Sequence, residues 1–442
     1  MGDKKQSKYL ELYERYKKLI LTGMLTAGTK MPSVRRCSVE FSLSRTTVEN
    51  AYAVLAAEGY ITAKPQSGYY VNELLSGGRE ESVHLAENNS NENENPIYDL
   101  VDIAADKDSF NFDLWRRYVK SALRQSERLL VYGDSRGEED LRAAVARYLN
   151  SQRGVVGTGE NVVVSAGTQG LLSILCVLLK ERNTVAFLGS DFPKGRTIFE
   201  DYGKKVILFP DGFDEEKLSQ SGASIVYVSP SHIDSAGGVL PMNERSKIVE
   251  YARKYNCIVI EDDYDSEFRY ASRPILSLQG LDGGKNVVYI GTFSRLLLPS
   301  IRVGFMVLPQ KLCKAYVERS NLYNQTASKT EQIALCQYIT DGHLLSRIKK
   351  QRRIYEANSE KICSRGNELL FGKAYFRRSE TAYLIKVVSA KKVDSERIAQ
   401  LAMKNKVKVR PLSEEEGSIL ISCAGFDMEN TDDMLLRLKR AF

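Results

Sequence analysis

The sequence predicts a multi-domain chain: a small three-helix head closed by a two-stranded hairpin, an acidic connector, and a large α/β body ending in a smaller α+β subdomain. Three observations predict it. Apolar residues recur at helical spacing in three short stretches between Tyr9 and Gly59. The run Asn88-Asn89-Ser90-Asn91-Glu92-Asn93-Glu94-Asn95-Pro96 offers almost nothing to bury. Beyond it, apolar β-rich runs alternate with helical stretches. A chain of 442 residues has room for two or three separate cores, so a single domain is not expected.

Tyr9, Leu12, Tyr16, Leu19 and Ile20 predict the first helix, which Gly23 closes. Pro32 suits the first turn of a second helix. Ser44 is placed to cap a third, whose apolar stripe is Val48, Tyr52 and Leu55 and which ends at Gly59. Tyr60-Ile61-Thr62-Ala63 and Tyr69-Tyr70-Val71 then alternate like strands about Lys64-Pro65-Gln66-Ser67-Gly68. Residues 1–71 thus read as a winged helix-turn-helix. There the third helix enters the DNA major groove led by its amino-terminal residues, here Arg45, Thr46, Thr47 and Asn50. Arginine pairs with guanine edges and asparagine with adenine. Ser33, Arg35, Arg36 and the wing residues Gln66, Ser67 and Gly68 are placed to hold phosphates. A dimerisation or docking module with solvated arginines has the same pattern, and helix spacing alone leaves both open.

The formal charge of +7 is unevenly spread. Residues 1–71 hold 11 Lys/Arg against 6 Asp/Glu, residues 72–99 hold 1 against 7, and the remainder 51 against 43. The basic head is compatible with nucleic acid without requiring it. Residues 72–98 read as a flexible linker whose acidity keeps it off DNA and whose length lets the head take more than one position.

In the body, residues 99–330 read as the large domain and 331–442 as a long helical stretch with the small subdomain. The runs Val162–Val164, Thr184–Leu188, Lys205–Phe209, Ile225–Val228, Cys257–Ile260, Val287–Ile290 and Gly304–Leu308 are continuous rather than alternating, as in strands of a mostly parallel sheet buried on both faces. Tyr383–Val388, Val407–Val409 and Ser418–Ser422 supply strands to the small subdomain. Ligands of open α/β sheets sit at the carboxyl ends of strands, with anions at the following helix starts. Gly167-Thr168-Gln169 has that placement, although a small Gly-Thr turn is also ordinary punctuation. For the acidic run Glu261, Asp262, Asp263, Asp265 and Glu267, metal binding competes with a solvated acidic loop; no histidine lies nearby in sequence, and the solvated loop accounts for most of it.

Several stretches carry a resemblance. Ile258-Val259-Ile260 leads into Glu261-Asp262-Asp263-Tyr264-Asp265-Ser266-Glu267-Phe268, and Gly291-Thr292-Phe293-Ser294-Arg295 continues through Leu298-Pro299-Ser300-Ile301-Arg302-Val303-Gly304-Phe305. With Val131 to Gly137, Ser165 to Gln169, Met31-Pro32-Ser33-Val34-Arg35 and Ser44 to Val48, nearly the whole chain resembles the MocR/GabR-type regulators. In these a GntR-type winged helix-turn-helix precedes a domain similar to fold-type-I aminotransferases, which use pyridoxal phosphate (PLP). The resemblance implies that the head binds DNA. It implies that Gly167, Thr168, Gln169, Thr292, Ser294, Arg302 and Tyr132 from a partner subunit cup a phosphate. It places Asp262 at the pyridine nitrogen of PLP, Tyr264 near its ring hydroxyl and Phe192 against the ring, where any aromatic after a strand is also ordinary core. A head-to-tail homodimer follows from resemblance alone.

The departures from the pattern matter equally. Arg295 stands where the family carries the lysine that holds the cofactor. Guanidinium stays protonated at working pH and forms no usable Schiff base. In Ser229-Pro230-Ser231-His232-Ile233-Asp234-Ser235, Ile233 replaces the usual amide and Ser235 the usual proline. Cys37 takes the place of a common apolar residue, which a buried cysteine can mimic. The cofactor is therefore open: PLP held only noncovalently, a PLP–amine adduct, another anion, or none. Lys194, Arg196 and Arg410 suit an effector carboxylate as well as they suit a surface.

No stretch of eighteen apolar residues occurs, and Met1-Gly2-Asp3-Lys4-Lys5-Gln6 is unlike a signal peptide. Seven scattered cysteines and three histidines suggest neither a disulfide framework nor a zinc site. The expectation is a cytoplasmic, non-membrane DNA-binding regulator, not an enzyme, whose aminotransferase-like body dimerises and senses a small anionic or amine-derived effector. The competing readings are a PLP-dependent aminotransferase with an appended head, and a structural dimer with an empty pocket.

Overall fold

In the computed structural model, residues 8–73, 95–101, 110–189, 192–234, 236–269, 275–412 and 415–442 are described. Most of the expected linker, and Ser235, lie outside them. The chain divides into two units, residues 1–90 and 91–442.

The head is built from α1 (Lys8–Leu21), α2 (Val34–Glu40) and α3 (Arg45–Ala57), followed by antiparallel β1 (Ile61–Lys64) and β2 (Gly68–Val71). Its core gathers Leu12, Tyr13, Tyr16, Ile20, Cys37, Val48, Tyr52, Leu55, Ile61 and Val71. Cys37 is fully buried, its sulfur 3.7 Å from the Tyr16 hydroxyl. Pro32 is not in the second helix. Ser33 caps that helix instead, accepting from the Arg36 amide at 3.3 Å, and Pro32 lies outside with its carbonyl accepting from the Tyr52 hydroxyl at 3.0 Å. Ser44 caps α3 as expected, accepting from the Thr47 amide at 3.1 Å.

The body opens with a short strand, β3 (Tyr98–Asp99). Its seven-stranded sheet comprises β4 (Val162–Ser165), β5 (Thr184–Leu188), β6 (Lys205–Phe209), β7 (Ile225–Val228), β8 (Ile258–Asp262), β9 (Val287–Thr292) and β10 (Gly304–Val307). The order is β4-β10-β9-β8-β7-β5-β6, with β10 antiparallel to both neighbours and the remaining pairs parallel. Six strands are almost entirely buried, as their continuous apolar runs require. Lys205–Phe209 is the exception: as the edge strand β6 it is only partly covered.

Helices Lys329–Thr340 and His343–Leu369 lead to the small subdomain. There β11 (Ala374–Arg378), β12 (Leu384–Ser389), β14 (Arg410–Pro411) and β15 (Ser418–Ser422) form an antiparallel sheet in the order β11-β12-β15-β14. The intervening β13 (Val407–Lys408) does not join it. It pairs in parallel with Tyr98–Asp99, a long-range match that no local pattern announces. The small subdomain is stitched to the large one at the Ala382 amide, which donates to the Phe268 carbonyl at 2.7 Å, and at Ser379, which donates to the Ala236 carbonyl at 2.8 Å.

Candidate functional site

Arg45, Thr46 and Asn50 stand exposed on the first turns of α3, and Arg35 and Arg36 on α2. Among the described residues no acidic side chain pairs with Arg35, Arg36 or Arg45, so a row of cations faces solvent. Thr47 is partly buried and its hydroxyl lies 2.7 Å from that of Ser44, which ties it to the helix cap. At the wing, Gln66 adopts a left-handed φ of 62° and Ser67 shares a 2.8 Å hydrogen bond with the Tyr70 hydroxyl.

Three wing residues were missed by the sequence reading. The Lys64 and Lys30 ammonium groups lie 4.7 and 5.8 Å from the centre of the Tyr70 ring. The Ser67 hydrogen bond, with both lysines, holds the Tyr70 hydroxyl below its ordinary pKa against desolvation. The register pairs Thr62 with Tyr70 and Lys64 with Gly68, so Lys64 and Tyr70 are diagonal neighbours on one face. Period-2 alternation was the available signal.

In the body, the loop ends of β4, β7, β8 and β9 converge. Asp262 ends β8, buried, and accepts from the Tyr227 hydroxyl of β7. Burial pushes its carboxyl up to about 6 against the Tyr227 hydrogen bond, which lowers it. The Tyr227 ring is stacked with Phe192, centroids 6.1 Å apart. The Tyr264 ring is stacked with His232 at 4.6 Å and 9°. On Tyr264 also lies Arg295, its guanidinium carbon 5.3 Å from the ring centre. Burial raises the Tyr264 pKa, as do Asp265 and Asp262, while the charges of Arg295 and Arg410 oppose the rise. Arg295, Tyr264, Asp262 and Arg410 are thus brought together, whereas Lys194 is exposed and Arg196 pairs with Glu200 at 3.7 Å one helical turn away.

Gly167, with φ of 97°, starts the helix Thr168–Leu178 without a side-chain cap. A Cβ there would come within 2.7 Å of the Arg302 guanidinium, so the missing side chain lets Arg302 close over the helix start. Thr292 accepts from the Ser294 amide at 3.1 Å, and the Ser294 hydroxyl oxygen is buried with no partner among the described residues. Unclaimed helix amides, a buried hydroxyl and a guanidinium are donors of the kind that anions satisfy. Thr168 is partly buried and Gln169 exposed at the same helix start, while Tyr132 is fully exposed.

The acidic run is not a solvated loop. Glu261, Asp262, Asp263 and Asp265 are buried and hydrogen-bonded. Asp263 accepts from Arg153 at 2.8 Å, Tyr289 at 2.6 Å and Ser231 at 3.0 Å. Burial opposes its charge, but Arg153, the Tyr289 hydrogen bond and Arg269 hold its carboxyl down to about 2. Glu261 accepts from the Leu278 and Gln279 amides, and Glu267 from the Tyr148 hydroxyl at 2.7 Å. Asp265 is bonded by both His232 and Tyr383. These partners come from distant parts of the chain, so the run alone could not reveal them. Among the described residues no group of three or more His, Cys, Asp or Glu is arranged to hold a metal ion.

Comparison with known proteins accords with this architecture. The family model for bacterial regulatory proteins of the gntR family matches residues 8–71, and that for aminotransferase class I and II matches residues 83–438. The uncharacterized HTH-type transcriptional regulator YdeL of Bacillus subtilis is 36% identical over 354 residues, covering 78% of this chain and 76% of its own. The probable rhizopine catabolism regulatory protein MocR of Rhizobium meliloti is 30% identical over 372 residues, covering 80% and 75%. In fold, the Pyrococcus horikoshii kynurenine aminotransferase superposes with a TM-score of 0.68 at 20% identity, over 79% of this chain and 91% of that one. The chain belongs to the HTH-type transcriptional regulators, homologous to MocR, in which a GntR DNA-binding domain is fused to an aminotransferase class I and II domain.

Proposed function

We propose that the chain is an effector-responsive regulator whose body has no aminotransferase activity and whose head, near residues 1–71, reads an operator through Arg45, Thr46, Thr47 and Asn50. Ser33, Arg35, Arg36, Gln66, Ser67 and Gly68 hold the DNA backbone, joined by Lys30 and Lys64. The linker over 72–98 lets the head respond to the large domain (99–330) and the small subdomain (331–442).

In the body, Arg295 takes the place of the lysine that anchors PLP in the enzymes of this fold. That replacement is implied by resemblance, and the observation that carries the proposal is the chemistry at the position: the residue lying over Tyr264 and near Asp262 is a guanidinium, which neither forms a Schiff base nor serves as the proton shuttle that an amine provides. PLP, when bound, supplies an electron sink. The residues present fit its phosphate at Gly167, Thr168, Gln169, Thr292, Ser294 and Arg302, its pyridine nitrogen at Asp262, its hydroxyl at Tyr264 and its ring face at Phe192. They do not fit its covalent attachment. A phosphorylated ligand is therefore held noncovalently, with Arg410 available for a second anionic group. Leu130, Val131 and Tyr132 stand out in solvent, which suits a head-to-tail homodimer in which Tyr132 completes the partner's phosphate cup. An effector acts by favouring one arrangement of the two bodies over another, since equal affinity for both shifts nothing.

The test is DNA binding at fixed salt. Substitution of Arg45 or Asn50 by Ala is expected to abolish operator binding while leaving the oligomer and the melting temperature unchanged. Undiminished binding would remove α3 from the reading role. Turnover of an amino acid with PLP and a keto acid, lost in Asp262→Ala, would restore the enzyme reading.

A further inference from the structure

We infer that Arg295 recognises a carboxylate, so that the pocket takes a phosphate ester carrying a carboxylate at the position where an aminotransferase cofactor carries its aldehyde. The inference rests on the proposed reading of the pocket as phosphate-binding and lysine-free.

Arginine presents five N–H donors in a planar fork. Arg295 is exposed, so its donors face solvent, and among the described residues its guanidinium has no hydrogen bond or ion pair; its neighbour is the face of Tyr264 at 5.3 Å. The acids around it are already committed. Asp265 accepts from His232 on one oxygen and from Tyr383 on the other, and Asp262 accepts from Tyr227. Desolvation disfavours the Arg295 charge, and Asp265, Tyr383, Tyr264 and Asp262 more than offset this at longer range, so the group stays a cation without a partner of its own. Arg410 adds a second positive charge acting on Tyr264.

The chemistry of the partner follows. A guanidinium matches a carboxylate with two parallel charge-assisted hydrogen bonds. An aldehyde offers one neutral acceptor, and an ammonium is repelled. The far end of the ligand is fixed independently at the anion site of Gly167, the orphaned Ser294 hydroxyl and Arg302. One end therefore selects phosphate and the other selects carboxylate.

Three compounds share one ring and one phosphate and differ only at the carbon facing Arg295: 4-pyridoxic acid 5′-phosphate with a carboxylate, pyridoxal 5′-phosphate with an aldehyde, and pyridoxamine 5′-phosphate with an ammonium. Calorimetric titration of the full-length protein with each, beside Arg295→Gln and Arg295→Lys, tests the inference. The wild type is expected to bind the carboxylate compound at least about tenfold more tightly than the ammonium compound, equivalent to about 1.4 kcal/mol. Arg295→Gln is expected to bring the three within about twofold while phosphate-dependent binding persists. Arg295→Lys is expected to lose the carboxylate preference and, after borohydride reduction of the imine, to retain the aldehyde compound through denaturation. Equal affinities in the wild type, or a preference for the ammonium compound, would overturn the inference and leave the pocket reading standing. If the wild type binds none of the three, the inference also falls. Arg295→Lys then decides the underlying reading: capture of the aldehyde compound preserves it, and failure to capture overturns it.

Discussion

Tyr383, just before the inner strand β12 of the small-subdomain sheet, donates its hydroxyl to the Asp265 carboxylate on the loop after β8. Both are buried, so the bond joins the two subdomains beside Arg295. Tyr383→Phe leaves one Asp265 oxygen without its donor and is expected to cost about 1–3 kcal/mol at pH 7, read from denaturant unfolding. Burial opposes the Asp265 charge, but His232, Arg295 and Tyr383 hold its pKa below the ordinary value. A depressed carboxylate stabilises above its unfolded pKa of about 3.9 and loses that contribution as pH falls through the folded value. The Tyr383→Phe deficit should therefore shrink below about pH 4. A deficit independent of pH would argue against a charged Asp265 as the acceptor.

Glu267 gives the opposite slope. Burial, followed by the charge of Asp263, raises its carboxyl to about 7 despite the Tyr148 hydrogen bond. The folded state binds the proton more tightly than the unfolded chain, whose glutamates titrate near about 4.3, so this group's contribution falls as pH rises between the two values and is level above them. Glu267→Gln keeps an acceptor for Tyr148 without the charge. Its unfolding free energy should fall less than that of the wild type between about pH 4.5 and 7. Parallel pH profiles for the two proteins would contradict this.

Gly189, at the end of β5, has φ of 78°, and a Cβ placed there would lie 2.0 Å from the Ile233 carbonyl oxygen. Backbone cannot yield as a side-chain tip can. Gly189→Ala is expected to cost at least about 2 kcal/mol through the left-handed conformation and the overpacking together. An unchanged unfolding midpoint would mean that the Ile233 loop does not pack against this strand end.

The wing makes a prediction in salt dependence. Lys30 and Lys64 both lie over the ring of Tyr70 and have no acidic partner among the described residues, so DNA phosphates are their natural counter-ions. Lys30→Ala and Lys64→Ala should each flatten the slope of log affinity against log salt by about 0.9. Tyr70→Phe, which keeps the ring, should change the slope less than Tyr70→Ala. Unchanged slopes for both lysine variants would place the wing off the DNA.

Much of this architecture is legible in sequence because it is local. Val48, Tyr52 and Leu55 mark one helix face, Ser44 its cap, and the continuous runs of β5, β7 and β8 a buried sheet. Pro32 misled because the proline precedes the Ser33 cap rather than following it. The acidic run misled for a deeper reason. Arg153, Tyr289, Tyr227 and Tyr383, which bury and bind Asp263, Asp262 and Asp265, are remote in sequence, and five acids in seven residues look solvated until those partners are known. Edge exposure of Lys205–Phe209 likewise depends on strand order, which the run itself does not encode.

The most direct measurement is native mass spectrometry of the full-length protein, alone and after incubation with PLP, repeated under denaturing conditions after borohydride treatment, which fixes any imine. The account predicts a dimer that carries a phosphorylated ligand natively and releases it on denaturation, with no covalent adduct on the chain's own pocket residues. A stoichiometric adduct that survives denaturation would contradict the noncovalent role given to Arg295, and a dimer that takes up no phosphorylated ligand would contradict the pocket's role as a sensor.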